Sequence, residues 1–419
     1  MGEQPRAIFH ECSGTIEPRT LRKINDISTF DSLGLAPALL AAVRDLGFTE
    51  PTQIQLLSIP PALQGRDVLA SAETGSGKSA AFGLPILQAL LERPRGTTRA
   101  LVLAPTRELA EQIAKHLRAL AKHTKIKIAA VYGGVAFGKQ IAALERGDDV
   151  IVATPGRLLD HLQQGNAKLG DIEILVLDEA DRMLDMGFLP DVRRILGRIP
   201  AKRQTLFFSA TLPPAISALV NDMLHDPVRA ELAVKARPVE TLTQTLYAVP
   251  QDKKTDLLLE LLKDNNIYSA IAFTRTKARA NRLAAALAKH SIPADLIHGD
   301  RSQAQRMRAL ENFKRGKYRI LVATDIAARG IDIAELGHVI NFDVPLAAED
   351  YIHRIGRTAR AKAAGDAITF VSDDEEPLIR QIEYVLGARL ERSINPLFPK
   401  ASVAPPPPRR VFSSRRRRR

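Results

Sequence analysis

Two stretches of this chain carry residue types suited to phosphate chemistry. The first, AETGSGKS (72–79), is glycine-rich and closes on Lys78 and Ser79. Such a loop turns backbone N–H groups toward phosphate oxygens, its lysine adds positive charge, and its terminal hydroxyl can ligate Mg²⁺. The second is the apolar run ILVL (174–177), which ends on Asp178-Glu179-Ala180-Asp181. Acids at a strand end can supply the other half of a magnesium site. Each stretch alone has a plainer reading. Ala72 stands where the strict phosphate-loop pattern begins with glycine, and acids at a helix start suit its macrodipole. Both stretches follow apolar runs in one chain, and together they point to hydrolysis of ATP or GTP.

The elements that must carry these residues are legible as apolar runs. From Phe30 onward the runs are DVLASA from Asp67, ALVLAP from Ala100, IKIAAV from Ile126, DVIVAT from Asp149, EILVLD from Glu173 and QTLFFSA from Gln204. A second series comprises TQTLYAV from Thr243, SAIAFT from Ser269, ADLIHG from Ala294, YRILVAT from Tyr318, HVINFD from His338 and DAITFV from Asp366. Apolar residues in continuous runs, rather than in alternation, predict strands covered on both faces. Separation by helical segments predicts βαβ units and parallel sheets. Weak internal similarity pairs LVLAPTREL (101–109) with IAFTRTKAR (271–279), and IVATPGR (151–157) with LVATDIAAR (321–329). We therefore expect an α/β protein made of two copies of one parallel-sheet domain, with a cleft between them. The expected limits are an extension over 1–28, domain 1 over 29–233, a linker over 234–242, domain 2 over 243–392 and a tail over 393–419.

Composition narrows the function classes. The 419 residues carry a net charge of +13. Eight basic residues and no acid fall within 400–419, so a large share of that charge lies in the tail. Pro405 to Pro408 suit polyproline II, and Arg415 to Arg419 end the chain, which describes a disordered basic arm. A basic surface suits nucleic acid. With no Trp and 5% aromatic residues, base stacking is a poor route to binding, and contacts to the nucleic-acid backbone are expected instead. The single cysteine, Cys12, excludes an intramolecular disulfide and a cysteine zinc cluster. Neither a secretory signal nor a run long enough to span a membrane is visible, which points to the cytoplasm.

Further motifs fit the same edge of the sheets. In GFTEPTQIQ (47–55), Thr52 and Gln55 spell a capping box. Beside a phosphate loop, the Gln55 amide could equally match the donor and acceptor of adenine. SAT (209–211) is turn chemistry that could also hydrogen-bond the 178–181 acids. HRIGRTAR (353–360) places arginines at 354, 357 and 360. These make a basic helix face or, in the second domain of a nucleotide hydrolase, supply Arg357 and Arg360 as arginine fingers, worth ~10³–10⁵ in rate. Polar turns PTREL, Gly133-Gly134, TPGR, FTRTK, HGD and Thr324-Asp325 follow strands, where open α/β sheets bind ligands.

Taken in order, these motifs identify the chain as similar to DEAD-box RNA helicases, over roughly 30–392. Phe30, GFTEPTQIQ, AETGSGKS, PTRELA, GG, TPGR, DEAD, SAT, IAFTRTK, ATDIAARGIDI and HRIGRTAR all match, and the wording looks most like the bacterial RhlE-type branch. The resemblance implies two RecA-like domains in tandem that close on ATP, Mg²⁺ and single-stranded RNA. It implies that Phe30 and Gln55 recognise adenine, and that Thr74, Gly75, Ser76, Gly77, Lys78 and Ser79 hold phosphates. Ser79 and Asp178 would act on magnesium, largely through water, and Glu179 on the attacking water. Ser209 and Thr211 would couple hydrolysis to RNA, Asp332 would approach the ribose, and Arg357 and Arg360 the γ-phosphate. Arg107, Gly134, Thr154, Arg157, Thr274 and Thr324 match RNA-backbone positions. Glu73, Ser79 and Ala359 depart from the commoner Gln, Thr and Gly.

The expected function is an RNA-dependent ATPase that locally unwinds short duplexes or remodels RNA–protein complexes. Two alternatives remain at this stage: an ATP-gated RNA clamp without unwinding, and a DNA-directed translocase. Expected partners are RNA, with ribosomal or RNA-decay proteins as further classes, and the basic tail serves as an RNA tether.

Overall fold

Val150–Ala153 is buried at every position, as its unbroken apolar run predicts. It is one of fourteen strands among the described residues of the computed structural model, which are 29–72, 75–231, 242–263, 266–325, 336–356, 358, 365–393 and 397. In chain order the strands are β1 (Val68–Ser71), β2 (Ala100–Leu103), β3 (Ile128–Val131), β4 (Val150–Ala153), β5 (Ile174–Leu177), β6 (Gln204–Ser209), β7 (Val228–Glu231), β8 (Leu242–Ala248), β9 (Ala270–Thr274), β10 (Ala294–Ile297), β11 (Ile320–Thr324), β12 (His338–Asn341), β13 (Gly365–Val371) and β14 (Glu391–Ser393). They form two seven-stranded sheets, ordered β3-β4-β2-β5-β6-β1-β7 and β10-β11-β9-β12-β13-β8-β14. Every pairing within them is parallel.

Parallel strands need crossovers, and helices supply them on both faces. Side chains alternate across a strand, so each strand feeds two cores. In the first sheet Val102, Val152, Val176 and Phe208 pack with Ile54, Phe82, Ile113 and Leu117 on one face. Leu101, Ile151, Leu175 and Phe207 pack with Leu158, Met183, Ile195 and Ile216 on the other. The second sheet repeats the scheme. Ala272, Val322 and Ile340 face Leu257, Leu283 and Leu287, while Ala367 and Val371 face Tyr351, Ile379 and Ile382. At about 1.5–3 kcal/mol per buried large apolar side chain, these layers are the main stabilising term.

The chain divides into two compact units, one around each sheet. All twelve expected strands are present. Two more, β7 and β14, escaped the sequence reading because they are sheet-edge strands of sequence VRAE and ERS. An edge strand has one neighbour and need not be apolar throughout. β14 includes Ser393 and β8 includes Leu242, so ordered structure reaches one residue into the stretches read as tail and linker.

Candidate nucleotide and nucleic-acid site

The order of the first sheet positions the chemistry. β6 lies between β1 and β5, so the phosphate loop, SAT and DEAD leave three consecutive strands at their C-terminal ends. Backbone contacts knit them together: Ala72 N–H donates to Ser209 O at 3.3 Å, and Ser71 Oγ donates to Ala210 O at 3.4 Å.

Gly77 starts the helix Lys78–Leu90 with φ of 95°, a left-handed conformation that glycine adopts without strain. A Cβ at Gly77 would lie 2.6 Å from Gln55 Nε2 and 2.8 Å from Thr52 Oγ1. The closeness is functional packing: Gln55 Nε2 donates to Gly77 O at 3.1 Å and Thr52 Oγ1 donates to Ser76 O at 2.8 Å. The capping box is also formed, with Thr52 N–H donating to Gln55 Oε1 at 2.9 Å. Gln55 thus caps its own helix and ties that helix to the phosphate loop. Phe30 is buried against Phe48, with ring centroids 6.3 Å apart.

Lys78 Nζ donates to Ala72 O at 3.0 Å and lies 3.7 Å from Asp178 Oδ1. Both side chains are buried. Burial pushes the Asp178 carboxyl up to about 6; Lys78 opposes that rise and the neighbouring Glu179 adds to it. Asp178 Oδ1 makes no hydrogen bond, although it is sealed from solvent. A carboxylate and the Ser79 hydroxyl are hard oxygen donors, as Mg²⁺ prefers. Among the described residues no cluster of three His, Cys, Asp or Glu could cage a metal. A divalent ion here would take its remaining ligands from water and phosphate, which is the usual habit of Mg²⁺. The donor set fits that ion.

Glu179 has φ of 54°, left-handed for a non-glycine residue, and leads into the helix Ala180–Asp185. Its carboxylate pairs with Arg182. Asp181 turns the other way. Its Oδ2 accepts from Ala210 N–H at 3.1 Å, Thr211 N–H at 2.9 Å and Thr211 Oγ1 at 3.1 Å. Ser209 Oγ accepts from Asp181 N–H and donates to Thr211 O. The expected bonding between SAT and the acids is present, and its acidic partner is Asp181.

Beyond β5 the sheet continues through β2, β4 and β3, whose ends carry the remaining turns. Gly134 has φ of 82°, and a Cβ there would lie 2.2 Å from Arg107 Nη1. The Arg107 side chain therefore lies directly over the glycine pair. Arg157 donates to Val135 O at 3.2 Å and stands 4.1 Å from the centroid of the Phe137 ring. Its guanidinium braces this loop. Thr154 is 8% exposed at the head of the helix Pro155–Gln163.

In the second sheet Thr274 and Thr324 are register partners at the ends of β9 and β11. Thr274 is fully buried and Thr324 8% exposed. The loop after β9 is anchored by buried charge: Arg275 N–H donates to Asp343 Oδ2 at 2.9 Å, and Arg275 Nη2 to Glu375 Oε1 at 2.7 Å. Arg354, one of the three spaced arginines, is internal. It grips Asp325 through two bonds of 2.6 and 2.7 Å and lies over Phe273. Thr74, Asp332, Arg357 and Arg360, with Glu73 and Ala359, lie outside the described residues, as do the extension and most of the tail.

Comparison with known proteins agrees with this geometry. A DEAD/DEAH box helicase family model matches residues 52–219, and a helicase conserved C-terminal domain model matches 253–362. The DEAD-box ATP-dependent RNA helicase CshA of Bacillus subtilis is 42% identical over 374 residues, covering 89% of this chain and 75% of that protein.

The chain belongs to the DEAD-box helicases.

CshA of Geobacillus kaustophilus is 43% identical, covering 90% of this chain and 80% of its own length. Among solved DEAD-box structures, S. cerevisiae Dbp5 bound to RNA and ADP BeF3 has a TM-score of 0.79 and 34% identity, over 87% of this chain and 95% of Dbp5. Mss116p bound to ssRNA and AMP-PNP has a TM-score of 0.79 and 30% identity, over 87% and 79%. The tandem RecA-like architecture expected from the DEAD-box motifs stands. The sequence reading passes over Arg182, directly after DEAD, and takes Arg354 only as part of a basic helix face, whereas it is buried on Asp325.

Proposed function

We propose that this chain is an RNA-dependent ATPase that separates short RNA duplexes or remodels RNA–protein complexes. The observation that carries this reading is the strand order of the first sheet. Phosphate-binding, coupling and acidic turns occupy consecutive strand ends, β1, β6 and β5. The glycine, threonine and arginine turns that suit an RNA backbone occupy β2, β4 and β3. One sheet edge thus has a nucleotide side and a polymer side, joined at β5.

In this reading Gln55 and Phe30 face adenine, while Thr74, Gly75, Ser76 and Gly77 bind phosphates through the loop. Lys78 exchanges Asp178 and Ala72 for the β- and γ-phosphates. Ser79 and Asp178 would hold magnesium, which when bound would neutralise phosphate charge. Glu179 takes the proton of the attacking water. Asp332, Arg357 and Arg360 fall in the stretch read from sequence as domain 2 (243–392), the arginines acting as fingers on the γ-phosphate. Arg107, Gly134, Thr154, Arg157, Thr274 and Thr324 shape the RNA path. Closure of the two units on ATP and one strand bends that strand and strips its partner. Opening a base-pair step costs about 1.4 kcal/mol, on the DNA average, so a few pairs per closure is a plausible reach. No helix among the described residues is long and apolar enough to cross a membrane.

The test is steady-state ATP hydrolysis with and without single-stranded RNA, beside a strand-displacement assay. Stimulation by RNA and release of product strands are expected. Absence of stimulation refutes the reading; retention without displacement converts it to a clamp. Equal stimulation by a 2′-deoxy strand would point to DNA, because 2′-OH contacts distinguish RNA. For the tail tether, deletion of 394–419, which leaves β14 intact, should lower the log–log salt slope of RNA binding by about 0.7 per lost phosphate contact.

A further inference from the structure

β5 delivers two adjacent carboxylates, Asp178 and Glu179, into the interior, 2% and 4% exposed. Neighbouring buried anions repel, and burial disfavours their charge. Each has a cation of its own. Lys78 stands beside Asp178. Arg182, itself 4% exposed, pairs through Nη1 with Glu179 Oε2, three residues back along the same turn of chain. The left-handed backbone at Glu179 and the start of the helix at Ala180 bring these two side chains together.

The two cations have different fates. Lys78 belongs to the phosphate loop, and in the ATPase reading above nucleotide draws it away. Arg182 belongs to the helix after DEAD, and its backbone N–H is fixed to Asp181 Oδ1 at 3.0 Å. Asp181 in turn holds SAT. Arg182 therefore remains against Glu179 when Lys78 leaves.

We propose that Arg182 is a positioning residue for hydrolysis: its buried guanidinium holds the Glu179 carboxylate in one rotamer, aimed so that it can accept the water proton. In this role Arg182 acts through Glu179, its buried partner. The proposal rests on the ATPase reading above.

The experiment uses the full chain. Arg182→Met keeps the apolar stem and removes the charge; Arg182→Lys keeps a charge. ATP hydrolysis is measured at saturating RNA, with nucleotide affinity from a fluorescent ATP analogue and folding from thermal melting. Loss of a partner that orients a reacting group typically costs 10–100-fold. We expect Arg182→Met to lower kcat by about 10–100-fold, with KM for ATP and RNA affinity within about twofold, and Arg182→Lys to recover part of the loss. Because the effect travels through Glu179, Arg182→Met should cost less than about twofold more in a Glu179→Gln background. A kcat for Arg182→Met within about twofold of the parent would overturn the proposal. So would a full-sized additional loss in the Glu179→Gln background, or a Lys variant that folds normally yet is no better than Met. If the Met variant fails to fold, the Lys variant and its Glu179→Gln double decide. A parent protein that hydrolyses no ATP with RNA would instead refute the ATPase reading itself.

Discussion

Asp181→Ala removes the acceptor that holds SAT in place. Three donors of that turn lose their partner, Ala210 N–H, Thr211 N–H and Thr211 Oγ1, now 2.9–3.1 Å from Oδ2, and Arg182 N–H, 3.0 Å from Oδ1, loses its own. Hydrogen bonds to a charged group contribute about 1.5–3 kcal/mol each when buried. Asp181 is 8% exposed, but Thr211 is exposed and water replaces part of what is lost. A combined cost of about 2–4 kcal/mol to the closed turn follows, short of the sum because the three bonds share one acceptor. The perturbation is local, since the neighbouring strands keep their ladders. Hydrogen exchange with mass spectrometry reads it directly. The peptide spanning 209–211 should exchange about 30- to 1000-fold faster, at a tenfold per 1.4 kcal/mol. Asp181→Asn, which can still present one neutral oxygen, should fall between the variant and the parent. ATP affinity should hold, while strand displacement per ATP falls. Unchanged protection at 209–211 would refute the placement of Asp181 as the anchor of that turn. Protection lost equally across β6 would refute the claim that the effect is local.

Asp178 gives a pH prediction. Its raised pKa means that the carboxyl is protonated below about 6 rather than below 3.8, and a neutral acid cannot serve the magnesium site. Since kcat/KM reports the free enzyme, its acid limb for ATP should fall as pH drops through about 6; a limb near the ordinary carboxylate value would refute the burial account. Gly134→Ala places a methyl 2.2 Å from Arg107 Nη1 at a left-handed φ; with strain of about 1–2 kcal/mol and Arg107 displaced, RNA affinity should fall about tenfold or more with ATP affinity unchanged, checked by fluorescence anisotropy. Lys254 is fully buried and bonds Phe370 O and Glu375, with Asp343 at 3.7 Å. Breaking a buried pair by removing one partner costs about 3–5 kcal/mol, so Lys254→Met should lower the melting step of the second unit, seen by calorimetry; an unchanged transition would mean that Arg275 on Glu375 and Arg279, 2.7 Å from Asp343 Oδ1, suffice.

Much of the fold was legible because the signal is local. A strand covered on both faces must be apolar at successive positions, and ILVL, VIVA and ALVL announce that without reference to neighbours. The phosphate loop and DEAD were legible for a related reason: phosphate and magnesium demand particular residue types at fixed spacing. β7 and β14 gave no such signal, because a strand with one neighbour can carry charge. Gln55 was ambiguous in sequence between capping and ligand recognition, and one amide can cap the helix and reach Gly77 at once.

Chemistry, architecture and the positions of the turns were thus set by residue types read along the chain. Which side chain meets which was set by strand order. Inserting β6 between β1 and β5 puts SAT against Asp181, and that pairing of residues distant in sequence is visible only once the sheet is assembled. The three spaced arginines teach the same lesson: spacing could not tell that Arg354 is the internal brace of Asp325. Burial decides it, because a guanidinium removed from water must find fixed acceptors, and only the packed structure supplies them.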